Sequence, residues 1–267
     1  MNYRASRFCS LLLLVVVVHP AVFAGVIWEI NVNTVMTSAG RKLEHPTPDH
    51  PVYYYPHVVG YQEVGSIAAG NKIPPDGPLK HQLAEALASQ GYLVTQVNGT
   101  KLDPPPSLLL VFRWGDINSV IYDDVDDNGA RTHQHSERAY QKEMLLVGVQ
   151  ESDLLDDSMK KRDLRESADE NRYYVTIAAY DFASFYTQHK TVLYWVSRMS
   201  IPKQDMDLEQ VTTPLINTGT PFLGRETGEP KLIDLPNGPE GKVELAKPEV
   251  KGYIDPASTK PLAPPQH

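Results

Sequence analysis

The chain holds a single cysteine in 267 residues, Cys9, and it lies ahead of an apolar run near the N-terminus. Once that leader is removed, no disulfide, thiolate metal ligand or cysteine nucleophile remains for a mature chain. Cations are also scarce: 25 Lys and Arg face 33 Asp and Glu, a formal net charge of −8. Removing Arg4 and Arg7 with the leader lowers the cations to 23 and takes the charge to −10. No basic stripe is present to contact phosphates, which argues against nucleic acid or an anionic lipid surface as partner. Nucleotide-loop motifs, Gly-x-Ser-x-Gly and His-Glu-x-x-His are absent, and no internal repeat is found. Ser158-Met159-Lys160-Lys161 fits Ser-x-x-Lys, but neither companion motif of that chemistry accompanies it. A hydrolase built on dispersed carboxylates would leave no motif, so this class stays open.

What is present begins with an export signal. Arg4 and Arg7 precede the unbroken run Leu11 to Val18, and Val22-Phe23-Ala24 puts small residues before Gly25. The run is too short to span a bilayer, and the pattern is that of a secretory signal peptide cleaved near Ala24. Cys9 precedes the run, where it cannot accept a lipid at the cleavage point. The expected location is periplasmic or extracellular, with no transmembrane span in the mature chain.

With 41% hydrophobic residues and a mean hydropathy of −0.34, the rest suits one globular domain with a core and extensions. Residues 25–51 read as an N-terminal strand (Val26 to Val35, alternating) and a Pro-rich linker. Residues 52–220 read as a globular α/β domain. Val52 to Tyr61 is strand-like but carries Pro56, which predicts an edge or a bulge. Pro78 to about Gln90 predicts a helix, with Pro78 at its first position and Gly91 just past its end. Strands follow over Tyr92–Val97 and Ser107–Trp114, then a helix over Ser136–Leu146. Glu151 to Arg172, with eight acidic and five basic residues, reads as a solvated amphipathic helix. Arg172 to Pro202 predicts two strands around a short turn, apolar on both faces. Leu193, Trp195, Met199 and Ile201 share one face, while Val192, Tyr194, Val196 and Arg198 share the other. Such a sheet needs cover on both sides. A short helix is expected over Met206–Asn217. Nine of the 22 prolines fall in the last 47 residues, 221–267, which read as an extended, largely irregular tail. The fold class expected is α+β or α/β: a mixed, mostly antiparallel sheet of about four to six strands backed by two or three helices.

The order of a helix, Gly91-Tyr92 with its strand, a Pro-preceded apolar strand and a late pair ending in the tryptophan strand Val192 to Val196 resembles a bacterial cell-envelope family of unknown function. Its members are often small lipoproteins with an α/β sandwich. The resemblance covers about Val52 to Asn217 and rests on pattern, without a diagnostic motif. This chain departs from it in lacking a lipid-acceptor cysteine. It implies an envelope α/β domain and transfers no catalytic residue.

Two constellations could hold a metal. Asp124-Val125-Asp126-Asp127-Asn128-Gly129 sets oxygens at Asp124, Asp126 and Asn128 with glycine at the sixth position, the front half of a calcium loop. Its twelfth position is His135, where a bidentate glutamate is needed. The alternative is a solvated acidic loop turning at Asn128-Gly129. His133 and His135 would point to one side on a strand and, with Asp124 or Glu137, could form a zinc or copper site. The tyrosines Tyr53, Tyr54, Tyr55 and Tyr61 read as packed strand residues or as a stacking surface. Together these readings describe an exported, non-enzymatic envelope module that binds a partner or ligand and has no cofactor. The alternative is a calcium- or other metal-binding protein, possibly a hydrolase, that uses the Asp124–Asn128 loop.

Overall fold

The computed structural model describes residues 28–65, 73, 75–118, 121–125, 131–135, 137–149, 158–203 and 206–235. In chain order the elements are β1 (Trp28–Met36), β2 (Val52–Gly65), α1 (Asp76–Ser89), β3 (Tyr92–Val94), β4 (Gln96–Asn98) and β5 (Lys101–Asp103). Next come β6 (Leu108–Asn118), β7 (Ile121–Val125), β8 (Arg131–His135), α2 (Glu137–Val147) and α3 (Met159–Ala168). The last are β9 (Arg172–Asp181), α4 (Phe182–Gln188), β10 (Leu193–Pro202), α5 (Leu208–Gly219) and β11 (Lys231–Leu235). Seven strands form one mixed sheet in the order β11-β1-β10-β9-β6-β2-β3, and β4–β5 and β7–β8 are separate two-stranded ribbons. Every pairing from β11 to β6 is antiparallel; β6–β2 and β2–β3 are parallel. The fold is α+β, as the sequence pattern predicts, with a wider sheet. Among the described residues, no helix is long and apolar enough to cross a membrane.

The extra width comes from both ends of the chain. β1 alternates Trp28, Ile30 and Val32 with Glu29, Asn31 and Asn33, and it pairs with β10 across its whole C-terminal part. β11 lies in the stretch read as tail; Lys231 to Leu235 pairs antiparallel with β1. Residues 236–267, the rest of that tail, lie outside the described residues.

Pro56 sits where its chemistry allows. β3 pairs only with Val52 to Tyr54, so β2 has no neighbour on that side from Tyr55 onward among the described residues. Tyr54 turns its carbonyl toward the β3 side, accepting from the Thr95 amide at 2.9 Å. Pro56, two residues on, faces the same open side and lacks only a donor that nothing would use. A bulge between Val58 and Gly60 shifts the register against β6. α1 begins two residues before Pro78 and ends as expected, with Gly91 at φ +86°. A Cβ there would lie 2.5 Å from the Thr47 backbone, so glycine is required both by conformation and by space.

The stretch between β9 and β10 is not a short turn. Phe182–Gln188 is α4, because the Asp181 side chain accepts from the Ser184 amide at 2.6 Å and caps it. Its aromatic residues resemble strand composition, and the cap decides the outcome. α4 buries none of its residues; Tyr186 is 70% exposed.

Both sheet faces are covered by helices, but unequally. On the first face α1 and α5 pack over Ile30, Leu110, Trp114, Ile177, Trp195 and Met199. On the second face α2 lays Leu146 against Ile117 and Tyr174, and α3 packs Leu164 and Ala168 against α2. Asn31 on this face donates to the Val147 carbonyl at 3.1 Å, so the polar side of β1 holds the end of α2.

At the far end of β6 a buried polar network closes the first face. Asp116, 0% exposed, accepts from Lys203 Nζ and, at 2.7 Å, from the Tyr61 hydroxyl. Lys203 also donates to Asn118 Oδ1 at 2.5 Å and lies 5.1 Å from the centre of the Tyr173 ring. The segment leading into α5 is thereby fastened to the sheet. Asp116→Ala leaves the ammonium without its counter-charge and should lower the unfolding free energy by about 3 kcal/mol in urea titration.

Glu143 on α2 is a second buried carboxyl, 2% exposed, and neither oxygen has a hydrogen-bond partner among the described residues. Burial, helped by Asp169, raises its pKa to about 7 from the usual 4.5. Between those values the folded chain holds a proton that the unfolded chain has released, so stability falls as pH rises through this window. Glu143→Gln should flatten that fall and raise the neutral-pH midpoint, as followed by thermal unfolding at pH 4.5 and pH 7.5.

Candidate functional site

A cavity of about 520 Å³ opens at the end of the sheet where β2, β3, β6 and β10 begin and β1 and β9 finish. The sheet supplies Val52, Tyr92, Leu108 and Trp195. The connection after β1, read as linker, supplies Arg41, Leu43 and His45, and the segment after α5 adds Gly224 and Arg225. Its volume falls in the range of small-ligand sites, which pair an apolar lining with a few convergent polar groups.

The aromatic wall is assembled by close packing. The rings of Tyr92 and Trp195 lie 5.8 Å apart at a tilt, and His45 meets Tyr92 edge-on at 6.1 Å. Gly224 makes this possible: at φ +65°, a Cβ would stand 2.1 Å from the Tyr92 hydroxyl and 3.2 Å from the Trp195 ring. The Tyr92 hydroxyl itself has no hydrogen-bond partner among the described residues. Burial holds its pKa well above the usual phenol range, so it faces the cavity as a neutral donor.

The ionisable groups of the lining are mostly held by other protein groups. Arg41 Nε donates to Glu226 Oε2 at 2.7 Å as one arm of a bidentate pair. Arg225 Nε donates to His45 Nε2 at 2.7 Å, which requires that nitrogen to be unprotonated. Asp181 accepts from the Ser184 amide and from the Tyr194 hydroxyl, and both contacts hold its pKa below the ordinary carboxylate value. An Asp that is fully engaged and firmly ionised is a poor proton donor, and this histidine has its Nε2 lone pair occupied. The lining therefore presents a shaped apolar surface with fixed polar edges, to which Ser107 adds a hydroxyl.

The sequence candidates lie elsewhere. Asp124 is in β7, opposite Thr132 in the β7–β8 ribbon, while Asp126 and Asn128 lie outside the described residues. His133 and His135 are on β8, opposite Asp123 and Ile121. Among the tyrosines, Tyr54 is buried against Phe112, with ring centres 6.2 Å apart. Tyr55 stays at the surface, 5.9 Å from Phe182. Sequence reading missed the cavity because its wall is gathered from stretches scattered between Met36 and Arg225. The one local signal was Asp181 three residues ahead of Ser184, a helix-capping spacing.

Burial, together with the nearby Arg225 charge, lowers the His45 pKa from 6.5. As pH falls below about 6.5 the unfolded chain takes up a proton that folded His45 resists, so stability is lost on acidification. His45→Gln keeps an acceptor for Arg225 and cannot titrate. Its unfolding midpoint should fall less than the parent's between pH 7 and pH 5.

No family model and no curated protein matches the chain. Among solved structures it is similar to a PelC dodecamer from Paraburkholderia phytofirmans, at 11% identity over 73% of this chain and 98% of that one. The TM-score is 0.32, and at that level the likeness carries no inference about fold, assembly or function.

Proposed function

We propose that this chain is an exported, non-enzymatic binding module of the cell envelope that receives a small, largely apolar group in the cavity at the end of the sheet. The observation that carries this reading is the cavity's lining. Tyr92, Trp195, Leu108 and Val52 form an apolar pocket of about 520 Å³, while Arg41, His45 and Asp181 are each engaged by another protein group. Such a lining suits retention of a ligand by shape and a few fixed polar contacts. The free Tyr92 hydroxyl gives one directional contact, favouring a ligand that carries an acceptor beside an apolar or aromatic body. The export signal in the sequence and the resemblance to an envelope family support the location.

Trp195 in the wall makes the site readable by fluorescence. A screen of neutral aromatic fragments should yield compounds that change its emission and raise the thermal midpoint. Leu43→Trp places a larger ring at the cavity from a position already 42% exposed, so folding should be kept and binding lost. Fragments that bind equally well to this variant would defeat the proposal. The metal alternative predicts a different result: a calcium-induced rise over EDTA that Asp124→Ala abolishes, whereas this reading expects equal midpoints in calcium and EDTA.

A further inference from the structure

The second face of the sheet carries a row that the cavity above does not use. Arg113 on β6 pairs in register with Thr176 on β9, and Thr176 pairs with Arg198 on β10. All three side chains project to the same face, the one that α2 covers only in part. Their Cα atoms span two strand spacings, about 10 Å in all, with the threonine hydroxyl at the centre. Lys142 from α2 lines the same groove. The groove measures about 340 Å³, and among the described residues no aspartate or glutamate lines it.

That composition is unusual here, because acidic residues outnumber cations 33 to 25 in the chain. Neither guanidinium has a carboxylate or hydrogen-bond partner among the described residues. Arg198 is largely buried, and burial alone pushes its pKa below the ordinary guanidinium value. A guanidinium taken from water without an acceptor destabilises the fold, and a Met of similar length would pack there at lower cost. Arg172 shows the contrast on the same strands: it is fully buried, yet it is met by Glu170 at 2.9 Å and by Ser200 at 3.1 Å. Beside the cationic row, Val111, Ala178 and Val196 form a second row in register, an apolar floor that continues toward Tyr180.

We propose that this groove binds an amphipathic oxyanion, its carboxylate or phosphate between Arg113, Thr176 and Arg198 and its apolar body on Val111, Ala178 and Val196. The planar guanidiniums offer paired donors to such a group, and the hydroxyl between them offers a third. The site is separate from the sheet-end cavity and does not depend on the role proposed for it.

The test is calorimetric titration of the full chain with phenyl phosphate, phenylacetate, inorganic phosphate and benzylamine. Saturable binding of at least one aromatic anion is expected, with weaker binding of bare phosphate and none of benzylamine. The two aromatic anions tell phosphate from carboxylate recognition. Arg198→Met and Arg113→Ser should each weaken the aromatic anion by roughly tenfold or more, the effect of losing a charge-assisted hydrogen bond. Leu43→Trp, which occupies the other cavity, should leave this affinity unchanged. Without ligand, Arg198→Met should unfold at a midpoint no lower than the parent's. If that variant fails to fold, the exposed Arg113 and Lys142 carry the test through Arg113→Ser and Lys142→Ser. Absence of saturable binding by either aromatic anion would overturn the proposal. So would affinities that survive the arginine substitutions, or that disappear in Leu43→Trp.

Discussion

Three neighbouring strands, β6, β9 and β10, carry apolar side chains on both faces, and most other features follow from that. A sheet of this kind cannot leave either face in water, so the chain must bring helices to both sides. On the first face α1 and α5 do so completely, burying Trp114, Trp195, Met199 and Ile177. On the second face α2 reaches Ile117 and Tyr174, while Val111 and Val196 remain only partly covered. The unequal cover leaves a groove on one side, and the uneven strand ends leave a cavity at the sheet margin. Both recesses are consequences of how far the helices and loops extend over a doubly apolar sheet.

Much of this arrangement was legible in the chain itself. β-branched and aromatic runs marked β6, β9 and β10; Pro and Gly marked the start and end of α1 within two residues; Pro56 marked an open margin. The two-sided apolarity of β10 correctly implied two layers of cover. Local composition failed where a single contact outweighed it. The aromatic run after Asp181 became a helix because one carboxylate caps one amide. Lys231 to Leu235 became a strand because β1 offered it a free edge, which no feature of that proline-bearing stretch announces.

The candidate sites were far less legible, for a physical reason. Arg113, Thr176 and Arg198 are separated by 63 and 22 positions in the sequence, and only strand register sets them side by side. The cavity lining likewise joins loops that read as linkers with strand ends that read as core. The acidic loop at Asp124 was conspicuous because its residues are consecutive, and closeness in sequence is what motif reading detects. Sheets build their sites across strands, so their chemistry hides at long separations.

The open margin of β2 has a further consequence for how the molecule meets copies of itself. From Tyr55 to Gly65 this strand has no neighbour on that side among the described residues and is long enough to template another chain, since such an edge presents regularly spaced donors and acceptors. Pro56 removes one donor from that row, and the bulge ending at Gly60, with φ +87°, breaks its spacing a few residues later. A second strand approaching this edge would find no uninterrupted ladder to extend. The opposite margin, β11, is five residues long and carries exposed Lys231 and Asp234, which discourage the same approach. Both borders of the sheet thus resist runaway strand addition, the growth mode most available to a protein whose centre is so rich in β-forming residues.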